Sequence, residues 1–262
     1  MGKLVWEQDF AGGGGSAYAG RDCVGDRLSY WNVRIGNDLL DGDGNPICPG
    51  WGNGEEQFYT DKAGNLYWNE EGLNLCARLE AESAADGRRF AYTSARIDTR
   101  DKFFFRYGRL VVRARLPVGQ GLWPAIWLMP QESAYGSWPA SGEIDMMEAR
   151  GRLPRQIGGT LHYGKDIENK VTDEHVYELP HGTIGEFRDY ALEWEDGAIR
   201  WFVDEICYAE SRWAPGETPF DRPFYLLLNL AVGGWYDRVP VDEAALPGVM
   251  TVASIRVYEL AD

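Results

Sequence analysis

The chain has 262 residues, 41 acidic and 26 basic side chains for a net charge of −15, and 13% aromatic residues including 11 Trp. That charge argues against nucleic acid and anionic membrane as partners, because binding phosphate takes clustered Lys and Arg. The longest apolar runs, such as YLLLNLAV, are too short to cross a bilayer, and the length suits one domain with a sizeable core.

The opening MGKLVWEQDF runs straight into strand-like sequence with no signal peptide before it, so Met1 reads as an expression start or a cytoplasmic start. Two loops imitate ligand motifs. GGGG at 12–15 lacks the Lys-Ser/Thr that completes a phosphate loop. DGDGNP at 41–46 begins like a calcium loop, but Gly52 stands where an EF-hand needs its twelfth-position Glu. Both read as turns. The four cysteines, Cys23, Cys48, Cys76 and Cys207, form no CxxC pair, which argues against zinc and thiol-exchange chemistry. Their even number permits two disulfides in an exported protein, and small buried apolar roles fit equally well. No Asn-x-Ser/Thr acceptor occurs.

Further along, LNLCARLE (73–80), YTSARIDT (92–99), RLVVRARLP (109–117), YALEWED (190–196), IRWFVDE (199–205), FYLLLNLAV (224–232) and VASIRVYEL (252–260) read as strands. In the third, Leu110, Val112, Ala114 and Leu116 share one parity, and Arg109, Val111, Arg113 and Arg115 the other. With 32 Gly and 13 Pro between the segments, no linker, no repeat and no sustained helical stripe, the pattern predicts an all-β antiparallel sandwich or jelly roll, one domain over 1–262.

The most informative stretch is SWPASGEIDMMEARG (137–151). On a strand Glu143 and Asp145 point to one face, and Glu148 falls on the other. One extra residue in a β-bulge, supplied by the second Met, resets the parity and brings Glu148 round. Three carboxylates along one face cannot all stay ionised, so at least one pKa rises. That is what glycoside hydrolysis uses: one carboxylate attacks the anomeric carbon and a protonated partner serves the leaving oxygen. Trp123 and Trp127 share a parity in GLWPAIWLMP, and Trp138 is near in sequence. Acids beside indole faces make a cleft for pyranose rings, whose faces are apolar and whose edges carry hydroxyls. A solvated acidic strand edge and an acidic calcium site are the alternatives.

At these residues the chain resembles glycoside hydrolase family 16, in particular its laminarinase-like endo-β-1,3-glucanases. GEIDMMEARG looks like that family's E-x-D-x-x-E signature, and WGNGEEQFYT, YTSARIDT, YGRLVVRARLP, GLWPAIWLMP, GGTLHYG, YALEW, IRWFVDE and PFYLLLNLAVGG match family segments in order. The resemblance implies a concanavalin A-like β-jelly-roll of two curved sheets with an open concave cleft. It implies retaining endo-hydrolysis of β-1,3-glucan, with mixed-linkage β-1,3-1,4-glucan as a further substrate. Glu143 is the implied nucleophile, Glu148 the general acid/base and Asp145 the assisting carboxylate. Trp123, Trp127 and Trp138 are implied platforms, and Asn53, Arg96, His162 and Asn229 implied polar contacts. The bulged spacing is similar to laminarinases, agarases and carrageenases rather than Bacillus-type lichenases. Also implied are a β-glucan partner, a monomer, a secreted or extracellular location and no catalytic cofactor.

Departures from the family pattern bear on three places. Val111 stands where the family usually has a Glu that contacts sugar. Ala253 replaces an Asp that commonly helps bind a structural calcium, which leaves Asp9 as the remaining candidate ligand. WYDRVP follows LAVGG where Asn-Trp is commoner, which predicts a different cleft rim. A galactan hydrolase and a non-catalytic glucan-binding protein on the same scaffold are the rival functions. The two glutamates favour an enzyme, and −15 does not promise the basic cleft that sulfated galactans need.

Overall fold

A computed structural model describes residues 2–12, 28–40, 45–214 and 216–260. Cys23, GGGG from residue 13 on and DGDG at 41–44 lie outside them. The first half of the chain forms β1 (Leu4–Asp9), β2 (Asn32–Val33), β3 (Asp38–Leu40), β4 (Pro46–Pro49), β5 (Gln57–Tyr59), β6 (Leu66–Asn69), β7 (Gly72–Ser83), β8 (Arg89–Ser94), β9 (Arg96–Asp98) and β10 (Phe104–Phe105). The second half forms β11 (Gly108–Arg115), β12 (Leu122–Pro130), β13 (Glu143–Glu148), β14 (Gln156–Tyr163), β15 (Val171–Glu178), β16 (Arg188–Glu195), β17 (Ala198–Val203), β18 (Ile206–Arg212), β19 (Phe224–Val232) and β20 (Gly248–Tyr258).

Two large sheets pack face to face as a β-jelly-roll. One runs β15-β14-β13-β12-β19-β9-β2, with β10 on β19; the other runs β18-β17-β16-β11-β20-β7-β8-β5, with β1 on β20 and β6 on β7. The pairs are antiparallel except β5 with β8. Strand alternation decides what lies between the sheets. Leu110, Val112 and Ala114 of β11, Ile126 and Leu128 of β12, and Leu226, Leu228 and Leu230 of β19 are all buried in the shared core. Each buried Leu, Ile or Val among them contributes roughly 1.5–3 kcal/mol of hydrophobic stabilisation. No helix among the described residues is long and apolar enough to cross a membrane.

Three expectations change. YTSARIDT is not one strand: β8 belongs to one sheet and β9 to the other. The chain crosses between them at Ala95, whose carbonyl accepts from Leu230 N at 3.2 Å, while Ser94 Oγ donates to the Leu230 carbonyl at 2.6 Å. Covered on both sides there, residues 93–99 are buried without alternation. Second, Val111 pairs with Ala191 and Arg256 in the sheet away from β13. Its parity is opposite to that of the core-facing Leu110 and Val112, so it faces the outside of the sandwich. The missing Glu at that position therefore has no bearing on the cleft. Third, Cys48, Cys76 and Cys207 are free thiols. Two disulfides would need at least one pair among these three, so that alternative fails.

Asp9, the remaining candidate ligand, already has a backbone partner. Asp9 Oδ1 accepts the Ala11 N–H at 3.1 Å, and the Ala253 carbonyl accepts from Phe10 N and Ala11 N. Among the described residues no group of three carboxylate, His or Cys donors gathers there, so a calcium ion at this place would rely on backbone carbonyls and water beside one carboxylate.

Candidate active site

The acidic strand β13 lies in the middle of its sheet, between β12 and β14. Asp145 pairs with Trp127 and Glu148 with Ala125, both odd positions of β12, while Ile126 pairs with Met147. The register slips between them. Met146 is left without a partner on β12, so the first Met rather than the second is the residue out of step. Across β14 the same slip takes Asp145 to Thr160 and Glu148 to Gly158. The bulge turns Glu148 to the face that carries Glu143 and Asp145, and both Met side chains are buried in the core. Trp201, also in the core, donates to the Asp145 carbonyl at 2.9 Å and ties the bulged strand to the opposite sheet.

Each glutamate accepts an indole N–H. Trp138 Nε1 donates to Glu143 Oε2, and Trp123 Nε1 donates to Glu148 Oε1 at 3.0 Å. Burial raises all three carboxyl pKa values, because the carboxylate loses more solvation in a buried site than the neutral acid does. Glu148 is pushed up to about 7. Asp145 is raised well above the carboxylate range, by burial first and then by the charges of Glu143 and Glu148. Glu143 is raised by burial, but the Trp138 N–H, the Lys170 ammonium and a hydrogen bond from Asp145 oppose the rise. The hydrogen bond between Asp145 and Glu143 thus favours the proton on Asp145 and the anion on Glu143. His162 Nε2 lies 3.4 Å from Asp145 Oδ2, and burial lowers its pKa to about 4, so the imidazole is neutral. Glu143, Asp145 and His162 place donor atoms within 4.8 Å of one another, a spacing a cation could bridge.

The remaining predicted residues form a second cluster across β12, β19 and β9. Trp127 Nε1 donates to Asn229 Oδ1 at 2.8 Å, and Asn229 Nδ2 donates to the Tyr59 hydroxyl at 3.1 Å. Tyr59 in turn donates to Glu55 Oε2 at 2.9 Å, and Gln57 and Asn53 donate to the same carboxylate at 2.7 and 3.2 Å. Arg96 lies over two indoles, 4.2 Å from Trp51 and 4.9 Å from Trp127. Its Nε is buried without a hydrogen-bond partner, as is Asp145 Oδ2. Burial raises the Glu55 pKa and the Arg96 charge opposes it. His162 stays with the carboxylates and does not join this cluster. Glu55, Gln57, Tyr59 and Trp51 were not singled out from the sequence. The alternation Glu55-x-Gln57-x-Tyr59, three polar groups on one strand face, is the signal that could have found them.

The model of the family "Glycosyl hydrolases family 16" matches residues 53–253. The glucan endo-1,3-beta-glucosidase A1 of Niallia circulans is 38% identical over 272 residues, 98% of this chain, which spans 38% of that relative's length. The beta-glucanase of Rhodothermus marinus is 40% identical over 257 residues, covering 89% of this chain and 87% of the relative. Among solved structures, the catalytic domain of an endo-1,3-beta-glucanase (laminarinase) from Thermotoga petrophila superposes with a TM-score of 0.82 at 34% identity, over 100% of this chain and 99% of that one.

Proposed function

The chain belongs to glycosyl hydrolase family 16, and from that premise we propose that it hydrolyses β-1,3-glucosidic bonds inside laminarin-like glucans, with retention of anomeric configuration. The observation that carries the reading is the bulge at Met146. It puts a second glutamate on the face of the first, and the two have unlike surroundings.

Glu143 attacks the anomeric carbon as the glycosidic C–O bond breaks, and Glu148 delivers its proton to the departing glucan oxygen. Water then adds to the glycosyl-enzyme, giving its proton back to Glu148 and releasing Glu143. Asp145 donates to Glu143 throughout and removes part of the charge repulsion between the two glutamates. The surroundings of the two glutamates support these roles. Glu143 has opposing groups that favour its anion, and Glu148 holds its proton to about pH 7. Arg96, Asn53, Asn229 and the indoles of Trp127 and Trp138 receive the sugar rings and their hydroxyls.

The same reading takes residues 1–262 as one catalytic domain, acting as a monomer outside the cell without a catalytic cofactor. Its partner is a neutral polysaccharide rather than nucleic acid or membrane, in keeping with the charge of −15. The test is a product profile on laminarin, barley β-glucan, lichenan, agarose and carrageenan. Oligosaccharides are expected from laminarin, and release from barley glucan adds the mixed-linkage activity. Release from the galactans alone overturns the substrate, and binding without release overturns the enzyme.

A further inference from the structure

The rim sequence WYDRVP, where the chain departs from its family's commoner Asn-Trp, has no role in the reading above. Trp235 stands exposed, its backbone N–H donating to the Asn53 carbonyl at 2.7 Å. Tyr236 turns inward. Its ring stacks on Trp123, with centroids 5.1 Å apart and planes at 22°, and the Arg150 guanidinium covers it at 3.9 Å. Arg150 Nε also donates to the Tyr236 carbonyl at 2.9 Å. The next residue, Asp237, is buried and paired with Arg152 at 2.7 Å. Backbone and side chain of Tyr236 are therefore both fixed. Its hydroxyl lies 3.0 Å from where a Cβ on Gly158 would stand, and Gly158 is the partner of Glu148 on β14. Tyr236 borders Glu148 both through Trp123 and over Gly158.

The geometry points to Tyr236 as a positioning residue for the general acid: the stack Arg150–Tyr236–Trp123 fixes the indole N–H that aims Glu148 at the leaving oxygen. This rests on the acid role of Glu148 proposed above. A hydrogen bond weakens steeply as its donor turns away, and an indole unsupported on one face can turn about its side-chain bonds. A proton donor displaced from the leaving oxygen loses rate without loss of binding.

Two substrates separate positioning from structure. Laminarin needs its leaving oxygen protonated. A 2,4-dinitrophenyl β-laminaribioside does not, and its pre-steady-state burst reports the first chemical step alone. Tyr236→Leu is expected to lower kcat on laminarin about tenfold or more with KM little changed, and to leave the burst rate within about threefold. Tyr236→Phe keeps the stack and is expected to stay within about twofold on both substrates. Gly158→Ala places a methyl against the Tyr236 hydroxyl, whereas its next neighbours are no closer than 3.9 Å. It should reproduce the Tyr236→Leu pattern, and the double variant Gly158→Ala/Tyr236→Phe should recover laminarin turnover to within about threefold.

Equal losses on both substrates in Tyr236→Leu overturn the inference. So does a Tyr236→Phe protein as impaired as Tyr236→Leu, or a double variant no better than Gly158→Ala. If Tyr236→Leu fails to fold, the Gly158 and Tyr236→Phe variants decide. A wild-type protein inactive on both substrates overturns the proposed function, and the inference with it. A wild-type protein active on both leaves the variants to judge the inference alone.

Discussion

Glu143 and Glu148 share one strand face and each accepts an indole N–H, yet their surroundings differ. Trp138, which serves Glu143, precedes the strand and is 39% exposed; the Lys170 ammonium lies 5.0 Å from its ring. Trp123, which serves Glu148, is part of β12 and stacks on Tyr236. Glu143 also receives a hydrogen bond from Asp145, whereas Glu148 faces the like charges of Glu143 and Glu174, which outweigh the Arg150 guanidinium. The pair has a chemical direction because every group beside Glu143 favours its anion, whereas Glu148 is buried beside two other acids. Strand spacing alone makes them neighbours; it does not make them different.

The largest effect that can break this comparison comes from removing each acid in turn. Glu143→Gln and Glu148→Gln should each lower laminarin turnover by roughly 10³-fold or more, with glucan binding kept. On the dinitrophenyl substrate they should part company: Glu143→Gln loses the burst and Glu148→Gln retains it. Two variants behaving alike there would erase the distinction.

Stability should separate the two next. Glu148 holds its proton up to about pH 7 in the fold, but only to the ordinary carboxylate range when unfolded. Between those values the native state binds more protons, so stability falls as pH rises through the window. With about 2.5 pH units at about 1.4 kcal/mol each, Glu148→Gln should stabilise the protein at pH 8 by up to roughly 3 kcal/mol. At pH 4 the gain should vanish. Denaturant melts at the two pH values check it, and an equal gain at both would contradict the buried proton.

The indoles sharpen the contrast further. Both N–H groups favour the carboxylate anion. Trp123→Phe should therefore move the alkaline limb of the kcat/KM profile upward, and Trp138→Phe should move the acidic limb upward, each by roughly half a unit to one unit. The first widens the bell and the second narrows it. The smallest effect belongs to Lys170, which lowers the Glu143 pKa from a distance. Lys170→Gln should raise the acidic limb by about a few tenths of a unit, less in high salt, and leave the alkaline limb alone.

Local order makes much of this legible in the sequence. Alternation over 109–116 gave the core face of β11, and E-x-D-x-x-E gave the bulge, because side-chain parity follows from strand geometry. What stayed hidden depends on contacts distant in sequence. Nothing near residue 123 announces that Tyr236 will stack on it, and the family pattern points Val111 to the cleft whereas strand pairing puts it outside. YTSARIDT read as one strand because its break at Ala95 needs no Gly or Pro, only two sheets near enough to receive its halves. The identity of the displaced Met was likewise set by the β12 partner, not by the two adjacent, chemically equal residues.

The central claim is that Glu143 attacks and Glu148 gives the proton. It is tested most directly by trapping the glycosyl-enzyme with a 2-deoxy-2-fluoro laminaribiosyl donor and mapping the labelled peptide by mass spectrometry. The adduct is expected on Glu143, in the segment that begins Gly142-Glu143-Ile144. A stable adduct on Glu148 would reverse the two roles and contradict the account.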